Sequence, residues 1–246
     1  KTGSIQIGET MLNDVLHNYL SKFCIGEKTC SGLPGESRGI LPKVGDWSGT
    51  TAPTVAFGQG YSLTAMQATS VFAVIANDGV RVSPTVIAGT SDASGNYTPS
   101  ATRESVRVIS ADTARKMRIM MESVVSGNGT APSAAIEGYR VAGKTGTAQR
   151  IDDTCGCYRG YTASFIGFAP ADNPAYVISV TIQDPKGMHW GGVLGGPVFK
   201  DVMSFVLKSK GIAPTGTKII PVALTEKQLL EAKKLAAKKA ANAKAN

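Results

Sequence analysis

Nine residues, Val141-Ala142-Gly143-Lys144-Thr145-Gly146-Thr147-Ala148-Gln149, restrict this 246-residue chain more than any other stretch, because they fit two chemistries with incompatible local structures. Counted from Gly138 the pattern is Gly-x-x-x-x-Gly-Lys-Thr, which cradles phosphate when it joins a buried strand to a helix opening at the lysine. Counted from Lys144 it is Lys-Thr-Gly on an extended strand. Neither flank suits the phosphate reading. Pro132-Ser133-Ala134-Ala135-Ile136-Glu137 is no apolar strand, and Thr145, Gly146 and Thr147 disfavour a helix. Beyond them Ala148 and Ile151 are the only apolar residues before Cys155, so no amphipathic stripe can be drawn. The run Tyr176 to Ile182, ending in Gln183-Asp184, imitates the second half of a nucleotide site, but so does any buried strand ending in a polar turn. The phosphate reading is set aside.

As a strand the run is physically coherent. Side chains alternate between faces, so Tyr139, Val141, Thr145 and Thr147 share one face with Gly143 between them. Two neighbouring hydroxyls can then hold a carboxylate. Gly146 leaves the backbone open to the close approach of another chain, and Lys144 adds positive charge at the same spot. The plain alternative is an edge strand bearing a solvated lysine, and Lys-Thr-Gly alone does not decide between them.

The remaining pattern predicts alternating helices and short strands. Leu12, Val15, Leu16, Tyr19, Leu20 and Phe23 recur at helical spacing in a first helix over 8–23, closed by Gly26. A Gly/Pro loop crosses 28–56. A second helix starts at the cap Thr64 and stops at Asn77-Asp78-Gly79. Short strands are expected at 80–87 and 103–109, then a helix from the cap Ser110 to about Val124. Three strands follow at 139–149, 162–169 and 175–183, the last two joined by Asp172-Asn173-Pro174. Pro197 marks the first turn of a closing helix whose apolar stripe includes Val198, Phe199, Val202 and Met203. Antiparallel strands with a C-terminal helix laid across them make an α+β core.

The flanks of the central motif carry a family resemblance. Phe57-Gly58-Gln59-Gly60-Tyr61-Ser62-Leu63-Thr64-Ala65-Met66-Gln67 resembles the Gly-Gln-Gly signature of class B penicillin-binding proteins. Leu33-Pro34-Gly35-Glu36-Ser37 precedes it, Ala76-Asn77-Asp78-Gly79 follows it, and Gly143 to Gln149 comes some eighty residues later. This order resembles the septal peptidoglycan transpeptidases of the FtsI type, over about Thr2 to Gly211. The resemblance implies an α+β penicillin-binding/serine β-lactamase-like transpeptidase fold, an antiparallel sheet flanked by helices, with the N-terminal half outside this chain. Residues 1–212 would be the C-terminal part of that domain and 213–246 an extension with a Lys/Ala-rich tail.

The family's nucleophile sits in Ser-x-x-Lys, and no serine here has a lysine three residues later. Ser94-Gly95-Asn96 and Ser126-Gly127-Asn128 imitate its Ser-x-Asn motif but read as turns, and Lys1-Thr2-Gly3 reads as a decoy. The nucleophilic serine is therefore expected outside the chain, as are a pedestal domain and an N-terminal membrane helix. The segment is expected to need that N-terminal complement to fold stably. By resemblance, the serine attacks the D-alanyl-D-alanine carbonyl of a stem peptide, and an amine from a neighbouring stem resolves the acyl-enzyme; β-lactams acylate the same serine. Lys144 and Thr147 are the expected catalytic positions. Lys144, Thr145, Gly146 and Thr147 are expected to bind substrate, with the Thr147 N–H forming half of the oxyanion hole. Alternatives are a D,D-carboxypeptidase, a β-lactamase-related hydrolase, or a non-catalytic penicillin-binding or division-complex scaffold. Implied partners are stem peptides, β-lactams, the N-terminal half of the same protein, a glycosyltransferase and division-complex membrane proteins, at the extracytoplasmic face of the bacterial membrane.

That location permits disulfides, and Cys24 with Cys30 and Cys155 with Cys157 are expected to form two local ones. No metal and no cofactor are expected, since His17 and His189 lie far apart with no repeated Cys/His spacing. His17 reads as structural or solvated; His189 sits in a loop that the resemblance places near the cleft rim. Of the net charge of +8, half comes from the six lysines and two glutamates of 225–246, a tail expected to be solvated. Base-stacking aromatics do not interleave the basic residues, so nucleic acid is not expected as a partner.

Overall fold

The computed structural model describes residues 2–101, 103–152 and 154–216. The basic tail and most of the C-terminal extension lie outside the described residues.

A three-stranded antiparallel sheet is the centre of the molecule. Its strands are β5 (Ala142–Asp152), β6 (Cys157–Ala169) and β7 (Tyr176–Gln183), side by side in the order β5-β6-β7. Register fixes which side chains share a face. Val141, Phe165 and Ala169 point to one side, where they meet Phe199, Met203 and Leu207 of α6 (Gly191–Ser209). Ala142 and Phe168 point to the other, against Ile75 of α4 (Ala65–Ala76) and Met121 of α5 (Ala111–Glu122). The core is thus helix, sheet, helix. Phe165, Phe168 and Phe199 have no exposed surface, and burying each contributes about 2–3 kcal/mol.

Local chemistry explains the boundaries. Thr64 closes a capping box on α4, accepting from the Gln67 N–H while the Gln67 side chain accepts from the Thr64 N–H. The Ser110 hydroxyl caps α5 by accepting from the Thr113 N–H. Two small antiparallel pairs link these helices: β1 (Val80–Val82) with β4 (Ser105–Arg107), and β2 (Gly89–Ser91) with β3 (Tyr97–Pro99).

Several boundaries differ from expectation. The first helix, expected over 8–23, is shorter, α2 (Asn13–Lys22), and an additional helix, α1 (Thr2–Gly8), precedes it; between them the Thr10 hydroxyl donates to the Ile7 carbonyl, and Gly8 packs directly against Ala56 of α3 (Thr51–Ala56). Thr2 and Gly3, part of the decoy motif, are helical. The closing helix starts at Gly191, so Pro197 lies inside it rather than in its first turn. The sheet hairpin is longer than expected at its tip, with an irregularity between Gln149 and Ile151. Cys155 and Cys157 are disulfide-bonded across that tip. Cys24 and Cys30 are not: both are free thiols, against the expected second bridge. The Cys24 thiol turns instead to the Lys28 carbonyl at 3.3 Å.

Candidate active site

The expected site residues lie on the outermost strand. β5 pairs with β6 on one side only, and among the described residues nothing pairs with its other edge. The register puts Gly146 opposite Ser164 and Thr147 opposite Ala163. A Cβ on Gly146 would sit 2.3 Å from the Ser164 hydroxyl oxygen, so any larger residue there must turn that hydroxyl aside.

Thr145 and Thr147 share the face that α6 covers. The Thr147 hydroxyl accepts from the Gly191 N–H, the first amide of α6, at 3.3 Å. Thr147 therefore stands at the positive end of a 19-residue helix. The Thr145 hydroxyl lies 3.1 Å from that of Thr130, in the loop after α5. Strand alternation sends Lys144 from the opposite face, but its ammonium bends back to the Thr145 carbonyl at 2.9 Å and the Thr145 hydroxyl at 3.4 Å. Lys144 and Thr145 are thus in contact, and Thr147 stands two residues further along the same strand. Lys144 is exposed as a residue, yet partial loss of hydration pushes its pKa down.

Helix α6 reaches this close because glycines fill the face of its first turns that lies against the sheet. A Cβ on Gly191 would meet the carbonyl oxygens of Ser164 and Gly146 at 2.2 and 2.3 Å. One on Gly192 would meet the Thr130 carbonyl at 2.0 Å, and one on Gly195 the Phe165 Cβ at 2.9 Å. Backbone rests on backbone.

Beyond the sheet's other face lies a cleft of about 750 Å³, walled on one side by 58–65 and on the other by Gln149, Ile151, Thr162 and Ser164. Tyr61 lines it, and burial raises its phenol pKa. The Gly58-Gln59-Gly60 block and the Lys144 strand thus meet at one cleft. His189 stacks on Tyr161 with ring centroids 4.1 Å apart, and Tyr161 pairs with Gln149 on β5. His17 lies at the far end of the chain beside Trp47, 6.2 Å between rings.

Two contributors were not foreseen from the sequence. Thr130 offers no signal, since only the fold carries it to Thr145. The Gly191 amide had one: doubled glycines at 191–192 and 195–196 put bare backbone on one helix face.

Across such a strand, helix and cleft, the family described as "Penicillin binding protein transpeptidase domain" matches residues 1–204. The chain belongs to that family. Among its relatives, the penicillin-binding protein PbpB of Mycolicibacterium smegmatis is 40% identical over 220 residues, covering 85% of this chain and 34% of the relative. Peptidoglycan D,D-transpeptidase FtsI of Escherichia coli is 34% identical over 213 residues, covering 86% and 34%. The chain therefore spans about a third of the length of the curated relatives it matches. Among solved structures, penicillin binding protein 3 of Mycobacterium tuberculosis complexed with aztreonam superposes with a TM-score of 0.82 at 36% identity, covering 90% of this chain and 52% of that one. A peptidoglycan synthetase from Bifidobacterium adolescentis superposes with a TM-score of 0.80 at 34% identity, covering 90% and 40%. The penicillin-binding transpeptidase fold expected from the sequence is the fold observed.

Proposed function

We propose that this chain supplies one wall of the active site of a peptidoglycan D,D-transpeptidase that cross-links stem peptides in septal wall synthesis and is acylated by β-lactams. The observation that carries the reading is the open edge of β5, where two threonine hydroxyls, an ammonium and the N-terminus of α6 converge. A peptide ending in a carboxylate fits such an edge: its backbone adds as a strand, and its terminal charge meets Lys144, Thr145 and the helix dipole. Thr130 extends the cluster by fixing the Thr145 hydroxyl. If Thr130 donates to it, Thr145 keeps its own proton for the ligand.

Strand alternation puts the Thr147 N–H on the same edge as the Thr145 carbonyl, which Lys144 already reaches. There the N–H acts on the oxyanion of the scissile carbonyl, and the nucleophilic serine comes from sequence outside this chain. The septal role, an extracytoplasmic location and assembly with a glycosyltransferase and division-complex membrane proteins belong to the same reading. Relatives named FtsI and Stage V sporulation protein D support it.

Labelling with a fluorescent penicillin tests the proposal. The chain alone should form no covalent adduct, and co-expression with an upstream segment carrying the serine should restore one. In that assembly Lys144→Ala should slow acylation by about 10²–10³-fold. Thr147→Val should slow it by about tenfold to a hundredfold, and Thr147→Ser far less. Labelling of the isolated chain, or normal acylation of Lys144→Ala, would overturn the reading.

A further inference from the structure

The loop between α2 and the cleft wall holds two cysteines that the proposed reaction does not use. Cys24 and Cys30 both occupy left-handed backbone, at φ 70° and 61°. Among the described residues only two other non-glycines do so, Asp78 and Asp184. Aspartate suits that conformation because its carboxylate bonds locally; cysteine has no such advantage. Glycine would fit either position better, so the backbone does not explain the residue type and the sulfur must.

The two sulfurs converge. Cys24 Sγ lies 3.3 Å and Cys30 Sγ 3.7 Å from the same Lys28 carbonyl oxygen. Their surroundings differ in the way a two-step exchange requires. Cys30 is exposed and Cys24 is buried. Burial raises the Cys24 thiol pKa, and the positive charge of Arg81 opposes that rise. The Cys24 backbone is also anchored: the fully buried Gln67 side chain donates to the carbonyls of Cys24, Glu27 and Arg38 at 3.0, 2.8 and 2.8 Å. Gln67 belongs to the first turn of α4, directly after the 58–65 wall of the cleft.

We propose that Cys24 and Cys30 are a reversible dithiol pair, here in its reduced form, whose closure staples the loop that Gln67 anchors at the root of that wall. The exposed Cys30 thiolate attacks a small-molecule disulfide such as oxidised glutathione, forming a mixed disulfide and releasing one thiol. Cys24 then loses its proton and attacks the Cys30 sulfur, expelling the second thiol. Two protein thiols are oxidised and one external disulfide is reduced to two thiols.

Trypsin separates the pair from the hairpin disulfide, because it cuts after Lys22, Lys28 and Arg38 and puts each cysteine on its own peptide. The 246-residue chain is equilibrated in glutathione buffers of graded ratio, quenched in acid, alkylated and digested without reduction. The expected product in oxidising buffer is peptide 23–28 joined to 29–38, lost again in reducing buffer. In single variants, Cys30 in Cys24→Ser should be alkylated on the order of tenfold faster than Cys24 in Cys30→Ser. Recovery of both cysteines as alkylated thiols or separate glutathione adducts, in buffer that keeps Cys155–Cys157 closed, would overturn the proposal. Equal alkylation rates would overturn the order of attack.

Discussion

The two ends of the described chain are built by opposite means. Around β5, β6 and α6 the packing is backbone against backbone: glycines at 191, 192 and 195 leave no room for one further carbon, and the phenylalanines beneath are sealed. In the first two helices contact is sparse. α2 has no buried residue, Ile7 and Leu12 are 67% and 76% exposed, and Val15 and Tyr19 lie open beside them. The strand carrying the site is therefore held by the chain's own tightest packing, whereas the amino-terminal helices present an apolar face with no cover among the described residues.

Substitutions can break this comparison. The largest effect is expected for Gly191→Val, whose added carbons collide with two sheet carbonyls that cannot move without unpairing β5 from β6. In the chain assembled with its amino-terminal complement, it should prevent folding, seen as loss of the cooperative unfolding transition. Gly45→Val, at a position with no neighbour in reach of a Cβ, should leave the transition in place. Next, Phe165→Ala should cost about 3–5 kcal/mol in urea unfolding, while Leu12→Ala should stay within about 0.5 kcal/mol. Equal costs would mean that the amino-terminal face is covered after all.

A smaller effect concerns Lys144. Loss of hydration lowers its pKa from the ordinary lysine value, so its positive charge disappears as pH rises through that lowered pKa. Acylation by a penicillin in the assembled enzyme should fall along an alkaline limb beginning below the usual lysine range, and Lys144→Arg should remove that limb. The sign for stability is opposite. Between the lowered pKa and the ordinary one the unfolded chain holds the extra proton, so raising pH through this window relieves a desolvation cost and stabilises the fold. The smallest effect is at Gly3, which has open space around it on α1. Gly3→Ala should stabilise by up to about 1 kcal/mol through helix propensity alone, read as a rise in the urea midpoint.

What could be read in the sequence follows the same division. The strand pattern around Lys144 and the caps at Thr64 and Ser110 were legible because each rests on a short-range rule, either alternation or a local hydrogen bond. The start of α6 was not. Gly191, Gly192, Gly195 and Gly196 read locally as a loop, and only the sheet beneath explains why they are helical. Likewise the apolar spacing of 12–23 does form one helix, but the turn closed by Thr10 delays its start to Asn13, and the short helix before it carries no apolar stripe that announces it. Thr130 was invisible because its partner lies on another element. Cys24 and Cys30 have spacing suited to a bridge, yet spacing does not specify oxidation state.

The irregularity between Gln149 and Ile151 has a consequence for how the molecule behaves in a crowd. A strand free on one side is a template, and a template that can receive a peptide's backbone can equally receive the same strand from a neighbouring copy. Flat, regular edges polymerise. Here the ladder is interrupted after Gln149, and the cationic Lys144 stands on the run before it. Two such edges brought face to face would meet like charge and mismatched pitch, while a short anionic guest meets neither. The irregularity limits the length of ladder that two copies of this edge could share.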